Sequence, residues 1–169
     1  IGRDKTAPTG TAPTAITGVD ACLPTQSEAD AAFSATLAAT GYSDNCGGVV
    51  TATMTSAVVS GDKCDWSILY TFSVKDECNN VLFSQSYTRS GGDKTAPVLG
   101  VISAPDGPVQ IGAGFNLTAA YIDCSSVTAT WKFTSDGVNY IDKGGVISPS
   151  SISLSNVDAS ALPTGVYKV

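Results

Sequence analysis

A five-residue motif that occurs twice is the strongest constraint on what this chain can fold into. Asp-Lys-Thr-Ala-Pro stands at residues 4–8 and recurs at residues 93–97. The spacing of about 90 residues is the length of one small sandwich domain. Each proline fixes its own φ and pushes the preceding residue towards extended backbone, as in a short stiff linker. The alternative is a pair of unrelated turns. We predict two domains, residues 1–92 and 93–169, joined by a linker of Asp93, Lys94, Thr95, Ala96 and Pro97.

Composition and periodicity favour strands. Only 14% of the residues are charged, against about 25% in typical domains. Bulky and small side chains alternate from Trp66 to Val74, which is typical of a half-buried strand. We predict an all-β fold with strands at residues 49–59, 66–74, 81–88, 115–122, 127–133 and 147–154.

One helix interrupts the strands of the first domain. Thr25 and Glu28 form a capping-box pattern ahead of Phe33 and Leu37, which are spaced for one helix face. Gly41 is a plausible stop. We predict a helix over residues 26–39.

Cysteine spacing predicts which disulfide bonds cross-link the first domain. Cys64 and Cys78 flank one strand, so its length excludes their pairing if the strand is continuous. Folding the hairpin about its turn brings Cys46 to Cys78 and leaves Cys22 for Cys64. The alternative, a zinc site, lacks any close cysteine pair in the sequence. Paired cysteines imply an oxidising compartment.

The sequence of the second domain ends in a predicted strand that stops early. Gly165–Val169 opens an alternating strand and then ends, which indicates truncation of the C-terminal strand. Cys124 has no cysteine neighbour in this domain, so we predict that it is unpaired in this chain. A free buried cysteine and a complete short strand are the alternative. Ile1 is not a start methionine, which indicates a processed chain or a piece of a longer one.

Several function classes are excluded by composition. The chain has no histidine, hence no histidine general base and no histidine zinc ligand. Its net charge of −6 with scattered basic residues is unsuited to nucleic acid. No apolar run approaches the roughly 20 residues of a membrane helix. We expect no enzyme activity and no membrane insertion.

The first domain resembles a hyalin-repeat (HYR-like) module. The residues that carry the resemblance are Asp44–Gly48, Tyr70–Asn80 and Gly92–Pro97. They are most similar to its variant in large secreted proteins of Bacteroidetes, including gliding-motility-associated adhesins. Asn79 departs from the family pattern, in which glycine is common at that position.

The second domain is similar to a polycystic-kidney-disease (PKD) type module. The residues on which this similarity rests are Pro108–Gly112, Ala129–Phe133, the pair Asp136-Gly137 and Gly165–Val169. Together the two resemblances imply tandem immunoglobulin-like β-sandwiches in a long extracellular protein. They imply a structural or adhesive segment, a stalk or adhesin fibre, whose partners are neighbouring modules and surface glycans or proteins.

Two other functions stay open. One is a filament subunit that assembles by strand complementation. The other is a glycan- or protein-binding accessory module of a secreted enzyme.

Three groups of residues are candidates for further chemistry. The first, Asp44, Asp76 and Asp93, offers oxygen ligands for Ca²⁺, although aspartate is also a common turn residue. A second group is the two glutamates, Glu28 and Glu77, which are poorly placed for paired-carboxylate hydrolysis. The third is a set of aromatic residues that could stack on a sugar or pack the cores: Tyr42, Trp66, Tyr70, Tyr87, Tyr121 and Trp131.

Overall fold

The chain divides into two compact units. A computed structural model describes residues 2–105, 114–134, 141–143, 145–148 and 150–158. The units are Ile1–Lys94 and Thr95–Val169, and their boundary lies within the second copy of the repeated motif.

The first unit is a four-stranded sheet covered on one face by helices. Its strands are β1 (Thr9–Gly10), β2 (Ile16–Asp20), β3 (Tyr42–Ser43), β4 (Thr51–Gly61), β5 (Trp66–Lys75) and β6 (Val81–Gly92). Its helices are α1 (Gln26–Ala31) and α2 (Ala35–Ala39). The main sheet has the order β2-β6-β5-β4, and β1 pairs with β3 in a separate ribbon. All pairs are antiparallel except β2 with β6, which is parallel.

Strand β5 supplies the core of the first unit. Every second residue of this strand is buried, and the residues between them are half-buried or exposed. Both helices pack against the neighbouring strand β4. Phe33 lies between the helices, with its ring centroid 5.7 Å from that of Tyr70 and 6.1 Å from that of Phe72. The period-2 pattern thus fixes which face of the sheet is apolar. The buried residues of β5 are Trp66, Ile68, Tyr70, Phe72 and Val74.

The helical segment is split in two, where the sequence predicts one helix over residues 26–39. The capping box is present, because Thr25 accepts from the Glu28 N–H and Glu28 accepts from the Thr25 N–H. Ser34 then interrupts the helix with extended backbone and caps α2, accepting from the Leu37 N–H at 3.2 Å. A second cap inside the segment, which the prediction overlooked, starts a second helix.

The described part of the second unit contains two small sheets. Its strands are β7 (Val98–Ser103), β8 (Gly114–Ile122), β9 (Trp131–Phe133), β10 (Ile141–Lys143), β11 (Val146–Ser148) and β12 (Ser151–Asp158). One sheet has the order β11-β12-β8-β7, and the other pairs β10 with β9. Its core consists of Leu117, Ala119, Trp131 and Phe133.

The predicted all-β class is confirmed. The immunoglobulin-like sandwich stays a prediction, since helices and a two-stranded ribbon accompany the main sheet of the first unit. The predicted strand at 127–133 is shorter, and the one at 147–154 is a hairpin of β11 and β12. The early-ending strand at Gly165–Val169 and the segment Pro108–Gly112 lie outside the described residues.

Candidate functional site

Three segments meet at one end of the β4–β5 hairpin. They are residues 3–6, the loop of residues 44–50 that leads into β4, and the turn of residues 76–80 that follows β5. The Arg3 guanidinium donates to the carbonyl oxygen of Cys78 at 3.1 Å. This end of the first unit therefore brings together segments that are far apart in the sequence.

The loop before β4 is folded by its own aspartate. Asp44 Oδ2 accepts from the Cys46 N–H at 2.9 Å, and the Asp44 carbonyl accepts from the Gly47 N–H at 3.1 Å. Gly47 and Gly48 have φ of 73° and 90°, a left-handed backbone that glycine adopts without steric cost. The loop turns sharply enough to bring Cys46 back beside Asp44.

The turn after β5 is held by a buried carboxylate. Asp76 is 5% exposed, and it accepts from the Asn80 N–H at 2.8 Å and from Asn80 Nδ2 at 2.7 Å. Asn79 has a φ of 69°. Asn79 thus takes a left-handed conformation for which glycine is favoured.

Asp4, Asp44 and Cys46 form what we call the carboxylate–thiol cluster. One carboxylate oxygen of each aspartate and the Cys46 sulfur all lie within 4.8 Å of one another. Asp44 Oδ1 is buried and has no hydrogen-bond partner. Two carboxylates and a thiol therefore converge where the leading segment of the chain crosses the loop.

The cluster perturbs the protonation of its members. Partial desolvation, the charges of Asp4 and Asp44, and the nearby Cys78 thiol raise the pKa of Cys46. A hydrogen bond from the Thr6 N–H, 3.1 Å from Asp4 Oδ1, lowers the pKa of Asp4. The cluster thus holds negative charge on Asp4 while disfavouring a thiolate at Cys46.

The cysteines pair differently from the prediction. Cys46, Cys64 and Cys78 are free thiols, so neither the Cys46–Cys78 nor the Cys22–Cys64 bridge is formed. Cys22 is nevertheless disulfide-bonded, and so is Cys124, which the sequence predicts to be unpaired. The expectation that the protein contains a disulfide is confirmed.

Strand order explains why Cys22 does not reach Cys64. Cys22 follows β2 and Cys64 precedes β5, and β6 runs between these two strands. The Ala21 N–H donates to the Gly92 carbonyl from one side at 3.3 Å, while the Cys64 carbonyl lies against Gly92 on the other side. Two strand spacings amount to about 10 Å, beyond the roughly 7 Å limit for the Cα atoms of a disulfide.

The proposed calcium ligands do not come together. Asp44 lies in the carboxylate–thiol cluster, and the Asp76 carboxylate is held by Asn80. The Asp93 N–H donates to the Lys63 carbonyl at 3.0 Å, which places Asp93 beside the β4–β5 turn. Within the described residues, the carboxylate–thiol cluster is the one group of three such side chains close enough to share a cation.

Both glutamates accept hydrogen bonds from backbone N–H groups. Glu28 accepts from the Thr25 N–H and hydroxyl, which lower its pKa. Glu77 accepts from the Val49 N–H at 3.2 Å.

The candidate sugar-stacking aromatics all pack the cores. Each is at most 8% exposed, so the core interpretation is the one that the structure supports for Tyr42, Trp66, Tyr70, Tyr87, Tyr121 and Trp131.

The outer face of the main sheet is rich in hydroxyl groups. Two residues of β5 that alternate with its buried ones, Ser67 and Thr71, pair across the sheet with serine on both sides. Ser67 lies opposite Ser60 and Ser90, and Thr71 lies opposite Ser56 and Ser86. The Ser60 and Ser67 hydroxyl oxygens are 3.0 Å apart. Between these hydroxyl pairs, Leu69 lies opposite Val58 and both side chains are exposed, so the face combines hydroxyl groups with an apolar pair.

The chain leaves the first unit at the end opposite to the cluster. Lys94 donates through its N–H to Asp20 Oδ1 at 2.9 Å and through Nζ to the Gly18 carbonyl at 3.1 Å. Asp93 lies beside Lys63 in the β4–β5 turn, as noted above. Strand β5 separates the two ends, and its 10 residues span about 33 Å.

Comparison with protein-family models, with curated proteins and with solved structures finds no match to this chain. Within the described residues, no helix is long and apolar enough to cross a membrane. The arrangement of residues is therefore the basis for any statement about function.

Proposed function

We propose that this chain is a structural and adhesive segment of a secreted bacterial cell-surface protein, in which it acts as a spacer without catalysis. One observation carries the proposal. The chain enters the first unit beside the carboxylate–thiol cluster and leaves it beside the β4–β5 turn, about one strand length away. Chain termini of domains often lie close together, whereas modules strung in series need them at opposite ends.

The anchoring of both termini supports a spacer. At the leading end, Arg3 binds the turn after β5, and at the trailing end Lys94 binds both Asp20 and the Gly18 carbonyl. The hydrogen bonds hold Arg3 and Lys94 against the first unit. The first unit is therefore anchored right up to the point where the predicted linker to the second unit begins.

The surface chemistry supports solubility and a polar contact face. The net charge of −6 keeps copies of the chain apart, and the hydroxyl-rich face adds polarity without further charge. Because the six aromatic candidates are buried, an adhesive contact would use other exposed groups, such as the hydroxyl groups of the sheet face and the exposed ring of Phe83.

Immunogold electron microscopy of intact source cells tests the proposal. An antibody raised against the purified chain should label fibres or a surface layer that extend from the cell. Regular label spacing along one fibre would also separate repeats in one polypeptide from stacked subunits. The control is the same antibody after adsorption with the purified chain.

Label confined to the medium or to a digested polymer would overturn the spacer role. That result would favour an accessory module of a secreted enzyme.

A further inference from the structure

We propose that Asp4, Asp44 and Cys46 form a binding site for a borderline-soft divalent cation of the Zn²⁺ class. The proposal goes beyond the spacer role and does not depend on it. It concerns the carboxylate–thiol cluster at the leading end of the first unit.

The donor atoms are already gathered. Their mutual distances of at most 4.8 Å need to shorten by only about 1 Å to match oxygen and sulfur ligands around one tetrahedral ion. The carboxylates of Asp4 and Asp44 are held in place by backbone N–H groups, since Asp4 accepts from the Thr6 N–H and Asp44 accepts from the Cys46 N–H. Most of the ordering that binding requires has therefore taken place.

A buried oxygen without a partner is the second observation. Asp44 Oδ1 is shielded from solvent and has no donor within hydrogen-bonding distance. A buried polar atom in that state costs free energy, and the cost is larger for a charged group. The other oxygen of the same carboxylate has its donor in the Cys46 N–H, so the deficit is confined to Oδ1. A cation would remove it.

The ligand set selects the class of metal. Calcium and magnesium prefer oxygen ligands alone, whereas Zn²⁺ accepts thiolate sulfur together with carboxylate oxygen. Binding replaces the proton of the Cys46 thiol, which passes to solvent. Three protein ligands leave one tetrahedral position for water.

The chain carries a matched control site. At the other end of the hairpin, Asp62 Oδ1 accepts from the Cys64 N–H at 2.9 Å, as Asp44 Oδ2 accepts from that of Cys46. Cys64 is also an exposed free thiol. Within the described residues, this second Asp-x-Cys turn belongs to no group of three potential ligands. Comparing the two turns isolates what the additional carboxylate of Asp4 contributes.

Cobalt is the probe for a titration of the full, purified chain. We expect Co²⁺ to produce the ultraviolet charge-transfer absorption of a cobalt–thiolate bond and added Zn²⁺ to abolish it by competition. Cys46→Ser should remove the absorption, and Asp4→Asn and Asp44→Asn should weaken binding by more than about tenfold. Cys64→Ser and Asp62→Asn should leave both the absorption and the affinity unchanged.

A second measurement needs no variant. Zn²⁺ should slow alkylation of Cys46 in the unmodified chain, while the rate at Cys64 stays the same, as read by mass spectrometry of the labelled peptides. Circular dichroism of each variant establishes that a loss of binding is not a loss of folding.

Three results would overturn the proposal. The first is no cobalt–thiolate absorption in the unmodified chain at millimolar Co²⁺. The second is absorption that persists in Cys46→Ser or disappears in Cys64→Ser. The third is a Cys46–Cys78 disulfide in a non-reducing peptide map of native material, because that bond would consume the sulfur ligand.

Discussion

At the scale of single residues, Asn79 shows how a residue other than glycine is accommodated at a left-handed position of a turn. Its φ of 69° lies in the left-handed region, which costs most L-residues roughly 1–2 kcal/mol and asparagine less. Its N–H donates to the Asp76 carbonyl at 3.3 Å, which closes the turn after β5. The turn therefore tolerates asparagine in place of glycine.

Substituting Asn79 tests this reading of the turn. Asn79→Ala should lower the free energy of unfolding by about 1 kcal/mol, because alanine has no local hydrogen bond to favour a left-handed backbone. Asn79→Gly should equal or exceed the unmodified chain. Urea denaturation followed by tryptophan fluorescence measures both, and the two variants having equal stability would contradict the argument.

At the scale of elements, β2 forms one edge of the main sheet of the first unit. It pairs in parallel with β6, and its register places Val19 opposite Gly91 and Asp20 opposite Gly92. A Cβ at Gly91 would lie 2.2 Å from the Val19 carbonyl oxygen, and one at Gly92 would lie 1.8 Å from that of Cys64. The paired glycines thus let two stretches of backbone approach β6 closely.

A methyl group at Gly92 should disrupt this approach. We expect Gly92→Ala to destabilise the chain by about 1–3 kcal/mol, the range found for overpacking, since the obstructing atoms belong to backbone. Gly2→Ala is the matched control because a Cβ there meets nothing within 4 Å. Thermal denaturation by circular dichroism compares the two. A Gly92→Ala variant as stable as the control would show that β6 and its neighbours can separate at little cost.

Local patterns in the sequence predict the central elements well. The alternation of Trp66–Val74 and the capping pattern of Thr25 and Glu28 act between residues close in sequence, so β5 and the start of α1 follow from them. Ser34 carried a signal for the second helix, because serine is a favoured N-cap.

Features that depend on strand order could not be read from the sequence. Ile16–Asp20 is short, contains a glycine and is mostly half-buried or exposed, so nothing marks it as a strand that pairs with β6. Without β2, Cys22 could not be placed relative to Cys64. The carboxylate–thiol cluster was missed for the same reason, since Asp4 and Asp44 meet only through the fold.

At the scale of the whole molecule, buried tyrosines couple folding to alkaline pH. Burial raises the pKa of Tyr42, Tyr70 and Tyr87 above the ordinary value of 10.0. The hydroxyl of Tyr70 donates to the Ala29 carbonyl at 2.9 Å, and that of Tyr42 donates to Gln85 Oε1 at 2.8 Å. Folding therefore favours the protonated phenols.

The direction of the pH dependence follows from these shifts. The contribution of the three tyrosines to stability is complete below about pH 10 and is lost as the pH rises through their folded-state pKa values, because the unfolded chain releases the protons first. We expect the tyrosinate absorbance to rise in two steps, the second coinciding with loss of the β-sheet circular dichroism. A single step near pH 10 with the sheet intact would contradict the prediction.

The placement of Arg3 and Lys94 at opposite ends of one hairpin has a consequence for evolution. In the proposed spacer, each copy of the first unit inserted in series would add about 33 Å, the span of β5, without requiring a new contact. Unequal recombination between copies of the Asp-Lys-Thr-Ala-Pro coding sequence would lengthen or shorten a parent protein by whole modules. Under the proposed function, the distance that the protein spans would then change in a single genetic event while the fold of each module stays the same.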